Sequence, residues 1–331
     1  MAHEISIRED GMAEFAFSGP RSAIWHGLGQ SVSDADLADL DHWKRAAGLD
    51  WEVLRSPTTY SAFNQKTGQV ENITVPNSNV LFRSDTMEHL GIVSEGFKII
   101  QPAEVVDFFD SLLTHNGFKM SSAGALFGGR KFWALANTGM DADVSDGDRI
   151  DGNLLLITAV DGTMATTARF VTTRVVCNNT LQVAVRNKTD KPIVRVTHHR
   201  NFDPDAVKID LGLMDKSWSE FMKNMKTLTK KKLSQGETRR IYENVLFDKN
   251  KSREDQGWGV NKEIDSLLDL AFNGSGSDMS KGTAFGALCG ATEFYTHGTG
   301  RRDPSHQFWS GYMGEGEAKK QKILDALMAI A

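Results

Sequence analysis

The chain has 331 residues, 40% of them hydrophobic and 24% charged, which is enough apolar material for one large domain or two ordinary ones. No run approaches the roughly 18 apolar residues of a membrane span, and the opening MAHEISIRED lacks the basic-then-apolar order of a secretory signal. Only two cysteines occur, Cys177 and Cys289, in no CxxC pair, so neither a disulfide framework nor a zinc knuckle is expected, and a reducing cytoplasm is the natural compartment. The formal charge of −5 conceals a partition. Residues 1–160 hold 12 Lys and Arg against 22 Asp and Glu, residues 161–240 hold 16 against 8, and residues 241–331 hold 10 against 13. A local basic field on an acidic chain draws a polyanion to one place, which puts nucleic acid first among partners. The competing reading is the solvated face of a long helix.

Residues 1–56 read as an irregular acidic arm with one helix at 34–47, its start loaded with aspartates and its end with Lys44 and Arg45. Residues 57–100 alternate as strands do, with 69–75, 80–83 and 91–100 as segments. Pro102 opens a helix whose stripe is Val105, Phe108, Phe109, Leu112 and Leu113, and Gly117 ends it. Strand-like residues 117–137 contain glycines 124, 128 and 129, read as marking a turn, and 139–151 reads as an acidic loop. Strands at 153–160 and 163–171 are joined by Asp161-Gly162, a strong hairpin signal. A helix is expected from Asn178 or Asn179 to Arg186, and a strand at 193–198.

From Asp203-Pro204 the pattern becomes helical. Val207, Leu211, Met214, Trp218, Phe221, Met225 and Leu228 alternate spacings of four and three, the seam of a long helix. Leu211, Trp218, Phe221, Met225 and Leu228 are thus expected to pack within the chain or to meet a partner or second copy. Ser234 and Glu237 form a capping box for a further helix, and others are expected at 260–272, 283–296 and 315–330 around a loop at 296–314. The expected class is α+β: a mixed or antiparallel sheet with packed helices, then a helical C-terminal part. The division is 1–56 arm, 57–202 α+β core and 203–331 helical region.

The string GALFGGRKF lacks the spacing and the Ser/Thr of a phosphate loop. In the run Asp141, Asp143, Asp146, Asp148 and Asp151, Asp146 and Gly152 stand where a calcium loop needs Gly and Glu, so a solvated loop is the better reading. Adjacent His198 and His199 on a strand end point to opposite faces, poor geometry for a shared metal. Cys177 reads as a buried thiol before a helix rather than a nucleophile. No metal and no nucleotide cofactor is expected. The basic block carries the chemistry. Arg130, Lys131, Arg169, Arg174, Arg186, Lys188 and Arg195 sit at strand and helix ends suited to tracking a phosphate backbone, with Phe97 and Trp133 as stacking platforms or core residues.

The strings IWHGLG at 24–29, GGRKFWALA at 128–136, VDGTMATTARFVTTRVVCNNTLQVA at 160–184 and GTAFGALCGATEFYTH at 282–297 resemble the phage/plasmid-like protein family, a domain of unknown function found on prophages and mobile elements. The resemblance spans nearly the whole chain, with WHGLG and RVVCNNTL as its specific parts. Phe97 and Cys289 stand where that family is expected to carry Tyr and Asn, so neither position is treated as catalytic. The order of elements over 90–136 also resembles, in pattern, the β-β-β-α core of single-strand annealing recombination proteins of the RecT and Red-beta kind and of the eukaryotic recombination mediators. That resemblance implies rings or filaments that bind single strands in a basic groove without metal or nucleotide. The expected function is therefore a mobile-element protein that binds single-stranded DNA, annealing or protecting it in recombination, as a homo-oligomer in the host cytoplasm with no membrane contact. The alternatives are a host-interaction or structural phage protein acting through its C-terminal helices, and a metal-dependent nuclease using the acids near 141–151.

Overall fold

A computed structural model describes residues 7–8, 11–19, 28–174, 179–182, 193–210, 214–247, 257–298 and 309–331. Its centre is an eight-stranded mixed sheet. The strands in chain order are β1 Phe15–Ser18, β2 Gln30–Val32, β6 Lys119–Leu126, β7 Lys131–Ser145, β8 Asp148–Ala159, β9 Thr166–Arg174, β10 Asn179–Gln182 and β11 Ile193–Val196. The order across the sheet is β10-β9-β8-β7-β6-β1-β2, and β11 shares the outer edge of β9 with β10. Among the described residues only the β1–β2 pair is parallel. A second, antiparallel sheet is built from β3 Val53–Asn64, β4 Gln69–Arg83 and β5 His89–Ser94.

Helices α1 Leu40–Ala46, α2 Pro102–Asp107 and α3 Asp110–Asn116 pack on one face of the central sheet. Their core joins Trp43, Val105, Val106, Phe108 and Phe109 to Ala134, Leu154, Leu156 and Ala168. The expected helix at 34–47 begins only at Leu40, because Asp39 is extended and its carboxylate caps the His42 amide, while residues 34–38 form turns. The helix from Pro102 is broken at Phe108 and Phe109 into α2 and α3, and Gly117 closes α3 with a φ of 69°. The acidic run at 139–151 is a hairpin rather than a loop: β7 continues to Ser145, β8 starts at Asp148, and exposed Arg149 pairs with Asp141 and Asp151. Asn179 begins a strand, not a helix, since its backbone pairs with Arg174 on the open edge of β9.

The C-terminal helices are α4 Pro204–Asp210, α5 Met214–Lys230, α6 Gln235–Leu246, α7 Gly257–Asn273, α8 Ala284–Glu293 and α9 Glu315–Met328. Asp203 caps α4, and the Ser234–Glu237 box caps α6. Helices α5–α9 enclose a core with Val144, Ile150 and Phe170 from the sheet, whereas Val207 of α4 joins the core beneath α1–α3. The seam is consumed here. Phe221, Met225 and Leu228 are buried in the chain's own core, and half-buried Trp218 meets Phe170 edge-on with ring centroids 5.9 Å apart. Each such buried side chain contributes about 1.5–3 kcal/mol, and none of the three is left facing outward for a partner. Leu211 lies outside the described residues. Among the described residues no helix is long and apolar enough to cross a membrane.

Candidate nucleic-acid interface

The side chains of a strand alternate between faces, so residues two apart on one strand and directly opposite on the next share a face. Gly124, Trp133, Ile157, Thr167 and Arg195 lie opposite one another in a single row across β6, β7, β8, β9 and β11. The neighbouring row holds Leu135, Leu155, Arg169 and Ile193. Lys131 precedes Trp133 by two on β7. Lys131, Trp133, Arg169 and Arg195 therefore occupy the same sheet face, opposite to α1–α3, and about 14 Å separates the two ends of the Trp133–Arg195 row at the usual strand spacing.

That face has a cover. Residues 309–312 form a helical turn whose Trp309 and Tyr312, with Met313, pack against Trp133, Leu135, Leu155, Ile157 and Val171. The Lys131 ammonium sits 4.9 Å from the Trp309 ring centre and 5.1 Å from that of Phe127, and it pairs with Asp161 at 2.9 Å. Burial raises the Asp161 pKa, but hydrogen bonds from Thr163 and the Lys131 ion pair outweigh it and hold the carboxyl below its usual value. Arg169 donates through Nη1 to the Tyr312 carbonyl at 2.7 Å and to the Met313 sulfur at 3.2 Å.

Arg169 is only 5% exposed, and its Nε is buried without a hydrogen-bond partner. Burial pushes the guanidinium pKa down to about 10, with Glu317 opposing the shift and the Arg195 charge adding to it. Glu317 is itself paired, 3.0 Å from the ammonium of fully buried Lys320. Burial also lowers the Lys320 pKa, against the attraction of Glu317. The Glu317 carboxylate thus acts on both buried cations, as an ion pair with Lys320 and through its charge on Arg169. A buried charge is costly unless it is paired and hydrogen-bonded, and buried groups whose pKa is shifted by desolvation and a charge partner are found both at functional sites and in structural ion networks.

The other expected contacts divide cleanly. Arg130, in the turn before β7, and Arg195, on the edge strand β11, are exposed. Trp133 is 1% exposed and Phe97 is 7% exposed, so both are core residues and neither offers a face for a base to stack on. Phe97 belongs to the opposite side of the sheet, where its ring stacks on buried His198 at 4.3 Å. The groove beside it, about 560 Å³, is lined by Arg55 and Lys98 but also by Glu95 and Glu104, and so presents no net charge. His199 is exposed where His198 is buried. Arg186, Lys188 and the side chain of Arg174 lie outside the described residues. Among the described residues no group of three or more His, Cys, Asp or Glu is placed to hold a metal.

The covering residues and Lys320 were not anticipated from the sequence. Lys320 had a signal: it falls on the α9 stripe Ile323, Leu324 and Leu327 at helical spacing, where a lysine has to be buried.

An α+β chain with a basic, lidded sheet face is the class the structure defines. Residues 89–312 match the family described as Domain of unknown function (DUF932), and the chain belongs to that family. Comparison with curated proteins finds no match, and comparison with solved structures finds none.

Proposed function

We propose that this chain is a DNA-binding protein of a mobile element, which anneals or protects single strands during recombination in the host cytoplasm, as a homo-oligomer and without metal or nucleotide. The observation that carries the reading is the gathering of Lys131, Arg169 and Arg195 on one face of the sheet, with Arg169 held buried and short of acceptors. Exposed Arg130 and Arg195 make the first contacts with phosphates. Arg169 and Lys131 are reached as the cover of residues 309–313 lifts. Contacts of this kind follow backbone charge, so binding is sequence-tolerant. The sheet-face aromatics contribute to the core rather than to base stacking. For the nuclease alternative, two of the acids it needs, Asp141 and Asp151, are engaged by Arg149. The test is a titration of labelled single-stranded and duplex DNA at low salt. Preferential binding of single strands is expected, and no binding of either form overturns the reading.

A further inference from the structure

We propose that the β-ribbon of residues 57–79 is the surface through which two copies of this chain associate. The proposal deepens the assembly part of the reading above, on which it rests, and is independent of the nucleic-acid part.

The ribbon runs clear of the body. β5 pairs with β4 only over Ser78–Phe82, so residues 59–64 and 69–74 pair with each other and, among the described residues, with no other strand. No residue from 57 to 77 is buried. Yet four large apolar side chains stand on it: Tyr60 is 52% exposed, Phe63 63%, Val70 68% and Ile73 38%. They are set in cross-strand pairs, Tyr60 opposite Ile73 and Phe63 opposite Val70. The pleat places these pairs on opposite faces, so each face of the ribbon carries one uncovered apolar pair. The hydrogen bonds of Ser61, Asn64 and Thr67 with Asn72 and Glu71 stay inside the ribbon. A two-stranded ribbon is marginal in water on its own. Open edges of this length are normally blocked by lysines, prolines or bulges. Here the prolines, Pro57 and Pro76, and the one register shift of the β3–β4 pair, between Pro57 and Thr59, sit at the base, and Lys66 sits in the turn.

Charge selects the occupant. Between Ser56 and Val80 the charged residues are Lys66 and Glu71, a net of zero, on a chain of −5. A strongly charged partner finds no counter-charge there. An identical ribbon does match: it is neutral, it has the same open edges, and antiparallel pairing of a strand with its own copy generates a closed two-fold contact. Because the bodies carry the same net charge, association through a neutral ribbon is strengthened by salt, whereas a phosphate contact is weakened by it.

The experiment is sedimentation velocity on the full chain and on two double variants, Phe63→Lys/Val70→Lys and Tyr60→Thr/Phe63→Thr, all at exposed positions, with thermal melts to verify folding. A wild-type mass that is a multiple of 36.6 kDa, rising with salt, and a return to 36.6 kDa in both variants at unchanged melting temperature is the expected result. A multimer that persists in both folded variants overturns the ribbon contact and leaves the assembly reading standing. A wild-type chain that stays monomeric at every salt overturns both. DNA binding, measured on the same samples, decides the nucleic-acid reading separately.

Discussion

The Arg169 guanidinium donates to the Tyr312 carbonyl at 2.7 Å, a contact that joins β9 to a segment 143 residues further along the chain. It fastens the cover to the basic sheet face, yet it leaves Nε of the same group buried and unbonded. Replacing Arg169 with Met removes its hydrogen bonds to the Tyr312 carbonyl and the Met313 sulfur, the former worth about 1.5–3 kcal/mol for a charged donor, and also removes the offsetting desolvation cost of a buried cation. The expected net change in urea-unfolding free energy is below about 1 kcal/mol, while DNA affinity falls. A loss above about 3 kcal/mol would instead identify Arg169 as a fully compensated structural cation.

Arg83 presents the opposite case. Its guanidinium is 3% exposed, pairs with both Glu14 oxygens at 2.6 and 3.1 Å, meets Asp85 at 2.8 Å, and lies over the Trp51 ring at 4.1 Å. Arg83→Met takes the cation away from a carboxylate that is itself 2% exposed, and the expected cost is about 3–5 kcal/mol. Adding Glu14→Gln should recover part of that loss in a double-mutant cycle. Additive losses would show that the two groups are not coupled.

The Asp161 carboxyl, bonded by Thr163 and Lys131, has a folded-state pKa below the reference 3.8. The contribution is therefore complete above the unfolded pKa of about 3.9 and is lost as pH falls through the lower folded value. Melting temperatures recorded from neutral pH down to about pH 2 should fall in the acid range for the wild type. Asp161→Asn should be less stable at neutral pH and should flatten that part of the profile. An unchanged profile in the variant would remove Asp161 from the account.

Gly124 marks a close approach rather than a turn. A Cβ built there would lie 2.6 Å from the Glu14 carbonyl oxygen and 2.6 Å from Cη2 of Trp133. Gly124→Ala is expected to cost about 1–3 kcal/mol, read as a lower denaturation midpoint with an unchanged slope. A neutral substitution would mean that Trp133 can shift at no cost.

Much of the helical framework was legible because its signals are local. Pro102 opening α2, Gly117 closing α3, Asp203 before Pro204 and the Ser234–Glu237 box act within a few residues of themselves. Strands of three and four residues are too short to show alternation, which hid β1 and β2 in the acidic N-terminal stretch. Asn179 is a good helix cap, but pairing with β9 overrode that preference. For the site, strand parity alone puts Lys131 with Trp133, and Arg169 with residues two positions away. Their burial was not legible, since the residues that bury Lys131 and Arg169 are Trp309, Tyr312 and Met313, far along the chain. The seam of α5 showed its periodicity plainly, but periodicity does not say whether the neighbour is the same chain or another.

The central claim, that the basic sheet face contacts single-strand phosphates, is tested most directly by fluorescence anisotropy with a labelled oligonucleotide across a salt series. The wild type is compared with Arg130→Glu/Arg195→Glu, two changes at exposed positions. With two to four phosphates neutralised, affinity should fall about 7- to 50-fold between 50 and 200 mM salt, from a slope of about −0.7 per phosphate. The double variant should bind more weakly at low salt and show a shallower slope. Equal affinity and equal slope in the two proteins, or no binding by the wild type at 50 mM salt, would contradict the claim.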